Sequence, residues 1–151
     1  GVEKSDKEAV QWCRLAAEQG LAAAQFSLGL RYDRGWGVEQ NDKEAVQWYR
    51  KAAEQGDAIA QFNLGERHNL GQGLKENQKE AARWFGKAVE QGHAKSQFVL
   101  GLRFEQGKGV EKNDKEAVQW YRLAAEKGHS DAQFNLGLMF TQGRGVEKND
   151  K

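Results

Sequence analysis

The chain of 151 residues has no proline, one cysteine and one methionine. Without proline, no helix can be stopped by a residue that lacks a backbone N–H, so punctuation falls to the 18 glycines. The single cysteine, Cys13, excludes an intrachain disulfide framework and a CxxC zinc or redox site. Charge of one sign is missing too. The 23 basic and 22 acidic residues are interspersed along the chain, which excludes a basic nucleic-acid arm and a patch for anionic membranes. The apolar runs are a few residues long, far short of the roughly 18 that a membrane span needs, and no charged-then-apolar leader opens the sequence. We expect a soluble chain with no nucleic-acid partner and no membrane insertion.

Signatures of catalysis are also lacking. The three histidines, His68, His93 and His129, belong to no HExxH motif, and there is no nucleophile elbow or phosphate loop. Glycine-rich GxGV segments are present, but they lack the third glycine and the preceding strand that dinucleotide binding requires. No catalytic residue, cofactor or metal site is expected, and the chain is not expected to be an enzyme.

What the chain does have is periodicity. GVEQNDK at 37–43 returns as GVEKSDK at 1–7, GLKENQK at 73–79 and GVEKNDK at both 109–115 and 145–151, a spacing of 36 residues. Trp12, Trp48, Trp84 and Trp120 keep the same step, as do the Leu-Gly pairs beginning at Leu28, Leu64, Leu100 and Leu136. A period in this range marks a solenoid, whose units bury their apolar faces against their neighbours.

Within each period two helices are legible. Ser5 with Glu8, Asn41 with Glu44, Asn77 with Glu80 and Asn113 with Glu116 have the spacing of a capping box. An apolar stripe follows, Ala45, Trp48, Tyr49, Ala52 and Ala53 in one copy, at i, i+3, i+4, i+7 and i+8. Gly20, Gly56, Gly92 and Gly128 end these helices. A second helix then covers about 22–34, 58–70, 94–106 and 130–142, each with a glycine in its interior: Gly29, Gly65, Gly101 and Gly137. Glycine there costs about 1 kcal/mol against alanine, so its recurrence predicts close contact with a neighbouring helix. The GxGV segments permit positive φ, and their Val or Leu is placed to tuck between helices.

The composite pattern A-x-x-W-x-x-x-A-A-E-x-G, A-Q-F-x-L-G-x-x-Y, G-x-G-V resembles the Sel-like repeat family, relatives of the tetratricopeptide repeats, over nearly the whole chain. The resemblance implies an all-α fold, an α/α superhelix (solenoid) of antiparallel helix pairs, acting as a protein-interaction scaffold. It leans towards bacterial envelope, periplasmic or secreted systems. It also makes the Leu-Gly helix the first of each pair. Residues 1–151 then form a single repeat domain: an orphan second helix at 5–19, pairs at about 22–55, 58–91 and 94–127, and an orphan first helix at 130–142. We expect a slice of a longer array. Some tetratricopeptide domains hold a partner's C-terminal carboxylate with basic residues on the first helices; at the matching positions, which include Ala23, Ile59, Lys95 and Asp131, those residues are mostly missing.

The resemblance places a peptide groove on the concave face formed by the first helices. Its candidate residues are Phe26, Leu30, Phe62, Asn63, Glu66, Phe98, Leu102, Phe134, Asn135 and Leu138. Phe and Leu supply apolar anchorage, and the amide side chains both donate and accept hydrogen bonds to a peptide backbone. The same four Phe, spaced helically, also fit a core between helices. Glu66 and His68 depart from the Leu and the aromatic residues found in the other copies. They suit selection of a basic group, and equally well neutral variation. Arg31, Arg67 and Arg103 form a one-per-repeat ladder that stops at Met139; it suits anion binding, but better a role in which the stems cover apolar surface and the heads pair with neighbouring Glu. The expected partner is a protein or peptide. The alternative is end-to-end self-association, a heterologous contact between the first and last helices that would not close.

Overall fold

The computed structural model describes residues 2–147. Gly1 and residues 148–151, with the ends of the first and last GVExxDK motifs, lie outside the described residues. Among the described residues eight helices follow one another: α1 (Val2–Glu18), α2 (Ala22–Arg34), α3 (Asp42–Glu54), α4 (Ala58–Leu70), α5 (Gln78–Glu90), α6 (Ala94–Gln106), α7 (Asp114–Glu126) and α8 (Ser130–Gln142). The fold is all-α, with no strand among the described residues. Among the described residues no helix is long and apolar enough to cross a membrane. The chain divides into two compact units, residues 1–77 and residues 78–151.

The starts of α3 and α7 are set by asparagine, with one change from the capping-box pattern. Asn41 Oδ1 accepts the Glu44 N–H at 3.1 Å, and Asn113 Oδ1 accepts that of Glu116 at 3.1 Å. The backbone N–H of each asparagine, which a capping box would give to the glutamate, instead donates to the preceding helix: Asn41 to Tyr32 O, Asn77 to His68 O and Asn113 to Phe104 O, all at 2.9 Å. That bond breaks the chain direction before each Trp-bearing helix. At the first copy, α1 runs from Val2 straight through Ser5 and Glu8. The first helix therefore begins earlier than the Ser5 pattern predicts, and Ser5 is not its cap.

At the other end of α3, Asp57 N–H donates to Ala52 O at 3.2 Å and Gly56 N–H to Ala53 O at 3.0 Å. This is a Schellman closure in which Gly56, at φ 98°, takes the left-handed position. The GxGV glycine has a second reason to lack a side chain. A β-carbon on Gly37 would collide with the carbonyl of Asp6 on α1, and one on Gly145 with that of Asp114 on α7. Each GxGV segment thus lies on the start of an earlier Trp-bearing helix, and Val38 and Val146 pack against the cores there.

In the first unit the core gathers Val10, Ala17, Ala24, Leu28 and Trp48, with Cys13, Ala16, Tyr32 and Val38 at its edge. Cys13 Sγ–H donates to Ala24 O at 3.3 Å, so the thiol is a small packing group. In the second unit Ala117, Val118, Tyr121 and Met139 form the centre, flanked by Phe98, Leu102, Phe104, Leu136 and Val146. The tryptophans do not share one environment. Trp48 is buried, whereas Trp12, at the same point of the repeat, is 73% exposed.

Candidate peptide-binding face

The structure repeats one contact with high fidelity. The ring of Tyr49 lies on the bare backbone of Gly29, packs tilted against Phe26 with ring centroids 5.7 Å apart and donates its hydroxyl to Asp33 Oδ2 at 3.1 Å. In the second unit Tyr121 does the same with Gly101, Phe98 (5.8 Å) and Glu105 Oε1 (2.6 Å). Burial, and then the adjoining carboxylate, push both phenols well above the usual tyrosine range.

Each carboxylate also meets a guanidinium, but from a different place in the repeat. Asp33 pairs with Arg67 of α4, which also reaches Asp42 at 3.8 Å. Glu105 pairs instead with Arg144, from the segment after α8, at 3.1 Å. Arg144 continues to Asp114 at 3.3 Å, and Lys112 meets the same carboxylate at 2.9 Å. Lys112 first, and then Arg144, hold the Asp114 carboxyl below its ordinary range, while Asp114 raises Arg144. Two of the three ladder arginines are bound within the fold: Arg67 joins this network, and Arg103 is buried over the Phe85 ring at 5.3 Å with a bond to Gln78; Met139 fills the fourth position at 1% exposure.

In the second unit Glu105, Lys112 and Arg144 border a cleft of about 390 Å³, which Leu102, Gln106, Asn135, Leu138 and Gln142 also line. Three of the groove residues expected from the sequence therefore come together: Leu102, Asn135 and Leu138. The remaining ones are placed differently. Phe62 is buried at 5% exposure, and Phe98 is held between Tyr121 and the His129 ring at 4.6 Å. Phe26 and Leu30 are half-buried on α2, Asn63 and Glu66 half-buried on α4, and Phe134 is 67% exposed on α8. His68 is buried and lines no surface. Sequence reasoning missed Glu105, Arg144 and Asp33, and it named Arg67 without this partner. A signal existed: Asp33 and Glu105 stand at one point of the repeat, with Tyr49 and Tyr121 at another, whereas the intervening copy has Asn69 and Phe85.

Inside the cleft the charges of Glu105, Lys112 and Arg144 are already paired, with one another or with Asp114. What the cleft offers a ligand is two leucine side chains and amides from Gln106, Asn135 and Gln142. Among the described residues no group of three or more His, Cys, Asp or Glu side chains is arranged to hold a metal ion.

The family model for the Sel1 repeat matches residues 1–21, 22–57, 58–93, 94–129 and 130–151. Each whole match begins on a Leu-Gly helix, as the resemblance implies. Among solved structures, a Sel1 repeat protein from Oxalobacter formigenes is 47% identical, with a TM-score of 0.89 over 96% of this chain and 58% of its own. A protective antigen present in uropathogenic Escherichia coli strains and displaying an SLR fold is 39% identical, with a TM-score of 0.92 over 95% of this chain and 31% of its own. This chain thus spans a third to somewhat over half of the length of those two. Helicobacter pylori cysteine rich protein B is 28% identical, with a TM-score of 0.70 over 90% of this chain and 98% of its own. No curated protein sequence matches significantly.

Proposed function

Because the chain belongs to the Sel1 repeat family, a non-catalytic repeat fold whose members are generally protein–protein interaction scaffolds, we propose that it is a binding module that holds a segment of a partner protein in the cleft between α6 and α8. The observation that carries this reading is the convergence of Leu102, Leu138 and Asn135 on one open cleft whose charged groups are mutually satisfied. Such a lining favours an uncharged apolar anchor, Leu-like or aromatic, with neighbouring backbone groups hydrogen-bonded by the amides. We read the chain as having no catalytic role. Glu66 and His68 take no part in this site, so selection of a basic group is not part of the reading.

End-to-end assembly of copies is the reading we set aside. Tyr49 and Tyr121 fill glycine seats on their neighbouring first helices, but α1 carries Cys13 at that point of the repeat. Light scattering that shows mass growing with concentration would restore the assembly reading.

The test is selection of peptides from a random display library on the immobilised chain, followed by titration of the enriched peptides against a Leu138→Lys variant. Leu138 is 41% exposed, so the variant should keep its helix content. We expect a shared apolar anchor and an affinity loss of about ten-fold or more. Peptides that bind the variant equally well move the site off the cleft.

A further inference from the structure

Helix α5 departs from the other Trp-bearing helices at two positions one turn apart. Arg14, Arg50 and Arg122 stand at one point of the repeat, where α5 has Gly86. Val10, Val46 and Val118 stand one turn earlier, where α5 has Ala82. Two of those arginines cover a ring: Arg14 lies over Tyr32 at 5.6 Å, and Arg122 over Phe140 at 5.5 Å. At Gly86 the corresponding space is open, and a β-carbon there would meet nothing within 4 Å.

Beside these two small residues lies a cavity of about 420 Å³ between α5 and α7, wholly inside the second unit. Its floor is apolar and includes Ala82, Leu100 and the half-buried Trp120. Its charged lining is Arg83, Lys87 and Glu90. The two cations are already engaged. Arg83 meets Glu80 at 3.4 Å, and Arg83 and Lys87 both lie over the Trp84 ring, at 5.6 and 5.7 Å. Glu90 is exposed and makes no ion pair among the described residues. The charge left without a counterpart in this cavity is therefore negative.

We propose that the cavity takes an arginine side chain of a partner protein, at a site on the Trp-bearing helices apart from the cleft between α6 and α8. The aliphatic stem lies on the apolar floor, the guanidinium plane rests on the Trp120 indole, and Glu90 meets its charge. Arginine suits this place better than lysine, because a planar guanidinium stacks on an aromatic face and still offers an edge to a carboxylate. An acidic group would face Glu90 and find Arg83 already paired.

The probe is the blocked pentapeptide Ac-Ala-Ala-Arg-Ala-Ala-NH2, titrated into the full isotope-labelled chain and followed by NMR at the Trp120 indole N–H and the Gly86 backbone N–H. Saturable shifts of both are expected. The neutral, isosteric citrulline peptide should bind about ten-fold more weakly, and the lysine peptide about three-fold more weakly. Glu90→Gln should weaken the arginine peptide about three-fold or more. Gly86→Arg fills the cavity from within and should abolish the Trp120 shift, while its urea midpoint stays level or rises because a better helix former replaces glycine. Lost binding is then not lost folding. The proposal is overturned by equal binding of the citrulline peptide, by a Trp120 shift that persists in Gly86→Arg, or by no saturable shift up to about 20 mM peptide. Free arginine that binds more tightly than the peptide would overturn the protein partner in favour of a small guanidinium compound.

Discussion

Tyr49 rests on the bare backbone of Gly29, so close that a β-carbon at residue 29 would lie 2.7 Å from the ring. Glycine and tyrosine here are a matched pair, and the helix-weakening effect of the glycine is offset by the approach it allows. Gly29→Ala and Gly101→Ala should therefore destabilise the chain by about 1–3 kcal/mol, overpacking outweighing the gain in helix propensity. At Gly137 and Gly86, where a β-carbon meets nothing within 4 Å, the same change should stabilise by about 0.5–1 kcal/mol. Urea midpoints of the four variants check the opposite signs.

Tyr121→Phe removes the hydroxyl bond to Glu105 but leaves Glu105 paired with Arg144, and the expected loss is about 1 kcal/mol at neutral pH. The pH dependence has a definite sign. Burial and the carboxylates raise the phenols of Tyr49 and Tyr121, so their contribution is complete below the unfolded tyrosine value of about 10 and falls away as pH rises beyond it. Alkaline unfolding of a Tyr49→Phe/Tyr121→Phe double variant should be less steep than that of the parent. Parallel curves from pH 9 to 12 would contradict the assignment.

His93 caps α6 with its ring: Nδ1 accepts the Ser96 N–H at 3.3 Å and lies 2.6 Å from Ser96 Oγ. Protonation removes that acceptor, and burial, followed by the charges of Lys95 and Lys127, lowers the His93 pKa. The unfolded chain then binds the proton more readily. Stability from this cap is present above about pH 6.5 and is lost as pH falls towards the lowered folded value. Asp57 holds the same place at α4, its carboxylate accepting the Ala60 N–H at 2.9 Å. His93→Asp should flatten the stability profile between pH 7 and 5 and add about 0.5–1 kcal/mol at the acid end. Circular dichroism melts across that range provide the measurement.

Gly37 combines a left-handed φ of 76° with direct approach to the Asp6 carbonyl. Gly37→Ala meets both penalties and should cost about 2–3 kcal/mol. Gly20, at φ 94° with open space around it, meets only the first, so Gly20→Ala should cost about 1 kcal/mol. Comparison of the two thermal midpoints separates backbone strain from collision.

Much of the fold was legible because its causes are local. The 36-residue step, the asparagine starts, the glycine stops and the interior glycines each act within a few residues, and they recur often enough for the copies to corroborate one another. Ser5 is the exception: its side chain fits a cap, yet α1 runs through it from Val2.

The candidate face was only partly legible. Phe26, Phe62, Phe98 and Phe134 share the context Gln-Phe-x-Leu-Gly, yet they range from buried to largely exposed. The arginine that meets the carboxylate is Arg67 in one unit and Arg144 in the other, residues from different points of the repeat.

The sequence by itself determined the period, the helices and the residues that start and stop them, since those follow from backbone preferences and spacing along one strand of chain. Only the tertiary structure decided which aromatic rings are core and which are surface, and which leucines share a cleft. Burial is a property of what lies across from a side chain, and the periodicity of its own helix does not carry that information.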